Sequence, residues 1–356
     1  MNVSPGVAAA RFGAQLLVPP GAGQVEQVVD RLLAVQAQDA RAFRLSLRAR
    51  SHDTSARDVD TAFSKRRTLV VSWLFRGTLH LVRSADYWWL HTLTAPRLVA
   101  NNKRRLTQLG LDEPTTRRGV RAVREAVDDN PKTRDELRLA LDAAGVPTAG
   151  QALVHVLAAA TLHAQLVRGP VRNGDQCFVD AEQWLDRPPV PDRDGCLEML
   201  ARRYLTGHGP ATSEDLAAYA GITVTDARRA FDMVAAETRR VGDMLYVVAD
   251  NGNAPPLPPL PPPRLLGMFD PVLHGWSDRS FVTGPHKDVV TTNGMFRATA
   301  LVDGRVAGTW TLSGGVVRLN ALRRLTSSEL MALEHEAADV LRYLALPPAP
   351  LRVSGP

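Results

Sequence analysis

From Val25 onward, apolar side chains recur at helical spacing: Val25, Val28, Val29, Leu32 and Leu33. The periodicity predicts an amphipathic helix running into Leu32-Leu33-Ala34-Val35-Gln36-Ala37-Gln38-Asp39. Gln36 stands seven residues after Val29 and continues the inward stripe, so an uncharged amide ends an apolar face. Gln38 cannot share that face while the helix continues, because residues two apart point different ways around a helix. If the helix breaks near Val35 to Ala37, the backbone becomes extended and side chains two apart converge on one side. Two amides held together offer donors and acceptors without charge, enough to fix a water molecule. The plainer reading is a pair of solvated polar residues at a helix end.

The same kind of patterning predicts the other elements. A helix over Val7–Leu17 precedes the turn Pro19-Pro20-Gly21, and a short helix covers Ser55–Ser64. The β-rich run Leu69–Phe75, the turn signal Arg76-Gly77 and the strand Thr78–Val82 read as a hairpin. Tyr87-Trp88-Trp89 reads as core. Helices followed by a hairpin make a winged helix-turn-helix, whose basic groups commonly meet phosphates. The pattern recurs twice. Thr133-Arg134-Asp135-Glu136 opens a helix ending at Ala144-Gly145-Val146-Pro147, a second helix spans Ala149–His163, and Leu166–Val179 supplies a wing. Thr212-Ser213-Glu214-Asp215 opens a helix ending at Ala220-Gly221-Ile222, followed by a helix over Thr225–Ala236 and a wing over Arg239–Val248. Gly145 and Gly221 sit at equivalent turns, where glycine permits positive φ. Ala254–Arg264 reads as an extended polyproline spacer. Leu265–Leu319 carries strand signals with Asn293-Gly294 and Asp303-Gly304 as hairpin turns, and Ser327–Leu344 is a closing helix.

The fold class is therefore α+β and mostly helical: three tandem winged helix-turn-helix modules plus a C-terminal β-rich domain. The expected boundaries are 1–112 for the first winged helix with the Gln motif, 113–190 for the second and 191–253 for the third. A Pro-rich linker over 254–264 and a β-rich domain over 265–356 complete the chain.

Composition narrows the class. A chain of 356 residues with 45% hydrophobic and 22% charged residues has the balance of a globular protein of several modules. No run reaches the ~18 apolar residues of a membrane span. The longest candidate, Ala152–Val167, holds His155 and His163 and reads as a buried helix. No signal peptide is evident, and Cys177 and Cys196 form neither a disulfide framework nor a metal-ligand spacing. A cytoplasmic, nucleoid-associated protein is expected, without membrane, metal or cofactor. Residues 1–125 hold 20 Lys and Arg against 10 Asp and Glu, whereas the remainder holds 23 against 27. A basic first third suggests a polyanion partner such as nucleic acid.

Three motifs share one resemblance. Gln36-Ala37-Gln38-Asp39, Arg76-Gly77-Thr78-Leu79-His80-Leu81-Val82 and Phe269-Asp270-Pro271 resemble the AlkZ-type bacterial DNA glycosylases, winged-helix proteins that remove alkylated bases. The likeness extends in order along nearly the whole chain, including Val302-Asp303-Gly304-Arg305-Val306-Ala307-Gly308-Thr309-Trp310. It implies that Gln36 and Gln38 match the family's catalytic Gln–aliphatic–Gln motif, with the small Ala37 between them. It also implies a C-shaped clamp of winged helices around duplex DNA, and base excision repair of alkylation damage. Some members unhook interstrand crosslinks made by alkylating natural products, a route to antibiotic self-resistance.

The chemistry fits neutral residues. A purine alkylated at N7 is already cationic and leaves without protonation, while the sugar gains oxocarbenium character. The enzyme then has chiefly to position water and stabilise developing charge. Glutamine is no Schiff-base nucleophile, so a monofunctional glycosylase without lyase activity is expected, acting as a monomer on double-stranded DNA carrying alkylated purines. Arg44, Lys65, Arg66, Arg67, Arg76 and Arg279 are candidates for phosphate contacts. Arg76 and His80 could face DNA or the lesion; the alternative is a locally bonded wing arginine and a strand histidine on a half-buried face. A competing class is a non-enzymatic winged-helix transcriptional regulator, which would bind one undamaged sequence tightly. A weaker third is a protein that sequesters the alkylating drug in an apolar pocket.

Overall fold

The computed structural model describes residues 3–248 and 256–356, and the chain forms two compact units. One comprises residues 1–59 and 197–356, the other residues 60–196. The first unit opens with α1 (Pro5–Ala14), where Ser4 Oγ accepts from Val7 N at 3.3 Å and proline occupies the first turn. α2 (Val25–Leu32) buries Val25, Val28, Val29 and Leu32, the stripe read from the sequence. A two-residue extended segment, β1 (Val35–Gln36), leads to α3 (Ala40–Arg48), capped by Asp39 Oδ1 accepting from Ala42 N at 2.7 Å. α4 (Ala56–Ser64) follows, and the second unit begins within it at Asp60.

The second unit builds a four-stranded sheet and a helical layer. β2 (Leu69–Leu74) and β3 (Thr78–Arg83) pair antiparallel from Leu69 opposite Arg83 to Leu74 opposite Thr78. After α5 (Tyr87–Gln108) come α6 (Glu113–Val127), α7 (Arg134–Ala143) and α8 (Ala152–Leu162). β4 (Leu166–Arg172), β5 (Asp175–Asp180) and α9 (Ala181–Trp184) close it. The strand order is β3-β2-β4-β5. Leu106, Val123, Leu137, Leu141 and Val156 form the core between the helices, and Trp88 and Trp89 are buried as expected.

The chain then continues through α10 (Arg193–His208), α11 (Ser213–Ala220), α12 (Val224–Met233) and the hairpin β6 (Thr238–Val241) and β7 (Met244–Val247). β8 (Arg264–Leu266), α13 (Ser280–Thr283), β9 (Thr299–Val302), β10 (Arg305–Ser313), β11 (Val316–Ala321), α14 (Ser327–Tyr343) and β12 (Arg352–Ser354) make the β-rich C-terminal region. Its sheet runs β12-β11-β10-β9-β8, and Leu333, Ala337, Val340 and Leu341 of α14 pack on Leu265, Ala300, Trp310 and Leu319.

The winged-helix repeat is visible in matching details. α6-α7-α8 with β4–β5 parallels α10-α11-α12 with β6–β7. The residue just before each capping box bridges back to its own wing, Lys132 to Phe178 and Ala211 to Leu245. Gly145 and Gly221 both take positive φ, 65° and 69°. The elements expected of a first copy are divided: α2 and α3 lie in the first unit and the hairpin β2–β3 in the second.

Three sequence expectations change. α3 was not anticipated, because Arg41, Arg44, Arg48 and Arg50 hide its apolar face among charges. Asp303-Gly304 does join two strands, but Asn293-Gly294 lies in a tight turn that closes only the single bridge of Val290 to Phe296. Of the proline-rich spacer, Ala254 and Pro255 fall outside the described residues. Residues 256–263 form no regular element and lie against α1, where a Cβ on Gly13 would come within 2.7 Å of Pro258.

α3 is tied down by its arginines. Arg50, just beyond its end, donates to both oxygens of Asp270 at 2.7 and 2.9 Å, to Gln15 Oε1 at 3.0 Å and to Ser46 O at 3.0 Å. Both members of the pair are fully buried. Arg48 bonds Leu265 O at 2.8 Å, Glu336 at 2.7 Å and Asp339 at 2.9 Å. Asp270→Asn leaves the Arg50 guanidinium buried against a neutral partner and should cost about 3–5 kcal/mol. Joint replacement by Arg50→Met and Asp270→Leu should recover much of that loss in urea unfolding, since apolar pairs of similar volume substitute well for buried ions.

Candidate active site

α2 ends abruptly, and the way it ends sets up the Gln motif. Leu33 takes φ 65° and ψ −50°, and Ala34 N donates to Leu32 O at 2.8 Å. This is a classic-type γ-turn, uncommon and strained by about 1–3 kcal/mol for a residue with a Cβ. The Leu33 side chain is fully buried, so packing holds the turn. Beyond it the backbone is extended through Gln36 and reaches the cap of α3 at Asp39. Gln36 and Gln38 therefore project to the same side, and Gln36 Nε2 donates to Gln38 Oε1 at 3.3 Å. Gln36 is buried while Gln38 is exposed. With that mutual bond made, Gln36 Oε1 remains as an acceptor and Gln38 Nε2 as a donor. A water molecule between them would be oriented through both its protons and its lone pairs.

The basic candidates occupy different places. Arg44 on α3 is half-buried; it bonds Ala40 O at 2.8 Å and lies 4.8 Å from the centre of the Phe43 ring. Arg279 precedes α13, half-buried over Phe296 at 5.1 Å. Both belong to the first unit. In the second, Lys65, Arg66 and Arg67 are exposed in the turn after α4, with the Arg67 guanidinium 3.9 Å over Trp184. Arg76 is exposed at the β2–β3 turn, at the opposite end of a six-residue strand and so roughly 20 Å along it from Arg67. His80 is buried, edge-on to Phe75 at 4.9 Å, with Nδ1 2.9 Å from Thr78 O.

Two groups were given no role by the sequence. Arg168 of β4 is held between Trp73 and Phe178, at 5.3 and 4.8 Å, and burial with Arg134 nearby pushes its pKa down to about 10. Asp270 belongs to a motif noted for its resemblance, but its partner, 220 residues upstream, appears only in three dimensions.

Repeated winged helices beside a β-rich C-terminal region place the chain among winged-helix proteins. Within that class, a family model described as DNA glycosylase AlkZ-like matches residues 29–343. The chain belongs to the AlkZ-like DNA glycosylase family. A relative from Streptomyces sahachiroi, described as an interstrand DNA cross-link repair glycosylase, is 27% identical over 365 residues, covering 96% of this chain and 97% of that one. The solved structure of Streptomyces sahachiroi DNA glycosylase AlkZ matches with a TM-score of 0.78 at 25% identity, covering 99% of this chain and all of that one. Among the described residues, no helix is long and apolar enough to cross a membrane.

Burial sets the protonation of the histidines. His80 and His208 are both pushed down to about 3, chiefly by desolvation, with Arg76 adding to the effect at His80 and Arg50 and Arg11 at His208. Both are neutral in the folded protein at neutral pH. The unfolded chain takes up those protons first, so their contribution is intact above about 6.5 and is lost as pH falls below it. Glu336 and Asp339 add a second loss at lower pH: burial disfavours their charge, but Arg48 together with Arg264 at Glu336 and Arg342 at Asp339 holds both below the usual carboxylate range. The thermal unfolding midpoint should therefore fall from about pH 6.5 downward, before the carboxylates titrate. A His80→Gln variant, uncharged at every pH, should lose part of that early slope and keep the later one.

Proposed function

We propose that the chain is a monofunctional DNA glycosylase that hydrolyses the N-glycosidic bond of cationic N7-alkylated purines in duplex DNA. The observation that carries this reading is the neutral amide pair, 3.3 Å apart where the extended segment at Gln36 bends towards α3. The bond to be broken is already activated by the charge on the base. Departure of the base leaves oxocarbenium character on the sugar, an electrophile that reacts with water without a strong base. What the protein must supply is a water in the right place and dipoles aimed at the developing charge. Gln36 Oε1 accepts a hydrogen bond from that water, and Gln38 Nε2 donates one to its oxygen.

Neither amide can form a Schiff base, so the product is an abasic site and the strand stays intact. Because the chemistry needs no tight pocket around a fully extruded base, bulky N7 adducts and N7–N7 interstrand crosslinks fall within reach. The relative described as a cross-link repair glycosylase supports that extension. The protein acts as a cytoplasmic monomer without a cofactor. Winged-helix modules over 1–112, 113–190 and 191–253 supply the DNA-binding surface, with Arg44, Lys65, Arg66, Arg67, Arg76 and Arg279 as phosphate contacts. His80, expected among the DNA contacts, is 3% exposed and so is not one of them.

The test is duplex DNA carrying N7-methylguanine or an N7–N7 crosslink, incubated with protein and then treated with alkali to reveal abasic sites. Wild type should release the base and leave no strand break before alkali. Gln36→Ala and Gln38→Ala should each slow release by roughly 10²–10³-fold, as loss of a positioned transition-state donor or acceptor does. Absence of release from either lesion, together with tight binding to one undamaged sequence, would make the protein a regulator instead.

A further inference from the structure

We propose that the Tyr219 hydroxyl is a positioning group for the Gln36–Gln38 pair, acting through the backbone of the γ-turn that precedes it. The inference rests on the glycosylase reading for its catalytic consequence, though not for its geometry. Tyr219 lies on α11, 185 residues beyond Ala34, and its hydroxyl points at the turn. The O–H donates to Leu32 O at 3.1 Å and reaches Ala34 O at 3.4 Å. These two carbonyls flank Leu33, the residue held at φ 65°. One phenol thus fixes both peptide planes of a conformation that a leucine seldom adopts.

The consequence reaches Gln36 across two residues of chain. The Ala34 carbonyl belongs to the peptide that starts the extended segment, and only an extended backbone brings side chains two apart to one side. If that peptide turns, Gln36 swings away from Gln38 and the water site opens. The hydroxyl acts on the backbone, so it is distinct from the residues that touch the reacting atoms.

The surroundings are built for this purpose. The Tyr219 ring is buried and packed on Tyr204 and His208, with centroids 5.1 and 4.7 Å away, so its position does not depend on its hydroxyl. α10 grips the end of α2 from the same side. Arg203 Nη2 donates to Asp30 O at 2.8 Å and to Asp30 Oδ1 at 2.9 Å, and Arg31 Nη1 donates to Thr206 O at 3.3 Å. Gly207 comes so close that an added Cβ would lie 2.2 Å from Arg31 O. The third winged helix is therefore the mould in which the Gln motif is set.

Tyr219→Phe removes the O–H and keeps the ring. In single-turnover assays on duplex carrying N7-methylguanine, the variant should release base about 5- to 10-fold more slowly, the effect of one lost hydrogen bond, with unchanged affinity for the duplex. Tyr343→Phe, a buried tyrosine change on α14, serves as the control and should keep the wild-type rate. Side-chain amide resonances of Gln36 and Gln38, read in the same proteins by NMR, should move in Tyr219→Phe and stay in place in Tyr343→Phe. A wild-type rate with unmoved resonances in Tyr219→Phe overturns the inference, as does an equal loss of rate in both variants. A wild type that releases no base overturns the glycosylase reading alone, and the resonances then still decide whether Tyr219 sets the pair.

Discussion

The bidentate bond between Arg50 and Asp270 joins the two chain segments of the first unit, and the site is organised from it. Both partners are wholly removed from water, so each depends on the other to offset its desolvation. Asp270 Oδ1 also accepts from Val272 N at 3.0 Å, which orders the Pro271–Leu273 turn, while Arg50 holds Gln15 and the end of α3. A buried ion pair adds little stability over an apolar pair of the same size. Its contribution is geometric: a forked guanidinium on a carboxylate accepts one orientation of α3 and rejects slippage. Arg48 repeats the device two residues earlier against Glu336, Asp339 and Leu265 O. α3 starts at the Gln motif, so fixing its far end fixes the frame in which Gln38 sits.

These contacts also change the meaning of the charge asymmetry. The basic first third looked like a surface for a polyanion, yet Arg11, Arg48 and Arg50 are buried and point inward. Their partners, Asp215, Glu336, Asp339 and Asp270, all come from the acidic remainder of the chain. Part of the imbalance is thus the two halves of internal ion pairs separated along the sequence. Arg11 illustrates the economy of the arrangement: it donates to Asp215 and to Pro210 O while its guanidinium lies 4.7 Å over Trp276. The surface cations that remain, such as Lys65, Arg66 and Arg76, are a smaller set than the count suggests.

What was legible in the sequence was whatever depends on neighbours. The stripe ending at Leu32, the convergence of Gln36 with Gln38 once the helix breaks, and the capping boxes at Thr133 and Thr212 are all encoded within a few residues. Two Xaa-Gly turns carried the same signal and met different fates. Asp303-Gly304 is flanked by alternating apolar strands that pair at length, whereas the chain around Asn293-Gly294 sustains one bridge. α3 escaped notice because four arginines within ten residues hide an inward face, and an arginine is read as exposed until its carboxylate is found. Tyr219 and Asp270 could not be assigned for the same reason: a partner some two hundred residues away leaves no local periodicity.

The Gln segment itself is short, extended and bounded on both sides by fixed points. On one side stands a strained γ-turn whose leucine is buried; on the other, a capped helix pinned at its far end by two arginines. Neither glutamine carries charge that could hold it by attraction, and a single amide–amide bond at 3.3 Å is weak. Orientation must then come from the backbone. A carboxylate at either position would attract water more strongly, but it would also repel or bind nearby groups and shift with pH. A neutral pair keeps one geometry over the whole pH range and relies on the scaffold for its precision. That reliance explains why so much of the first unit's polar interior, from Arg50 to Tyr219, converges on the flanks of four residues.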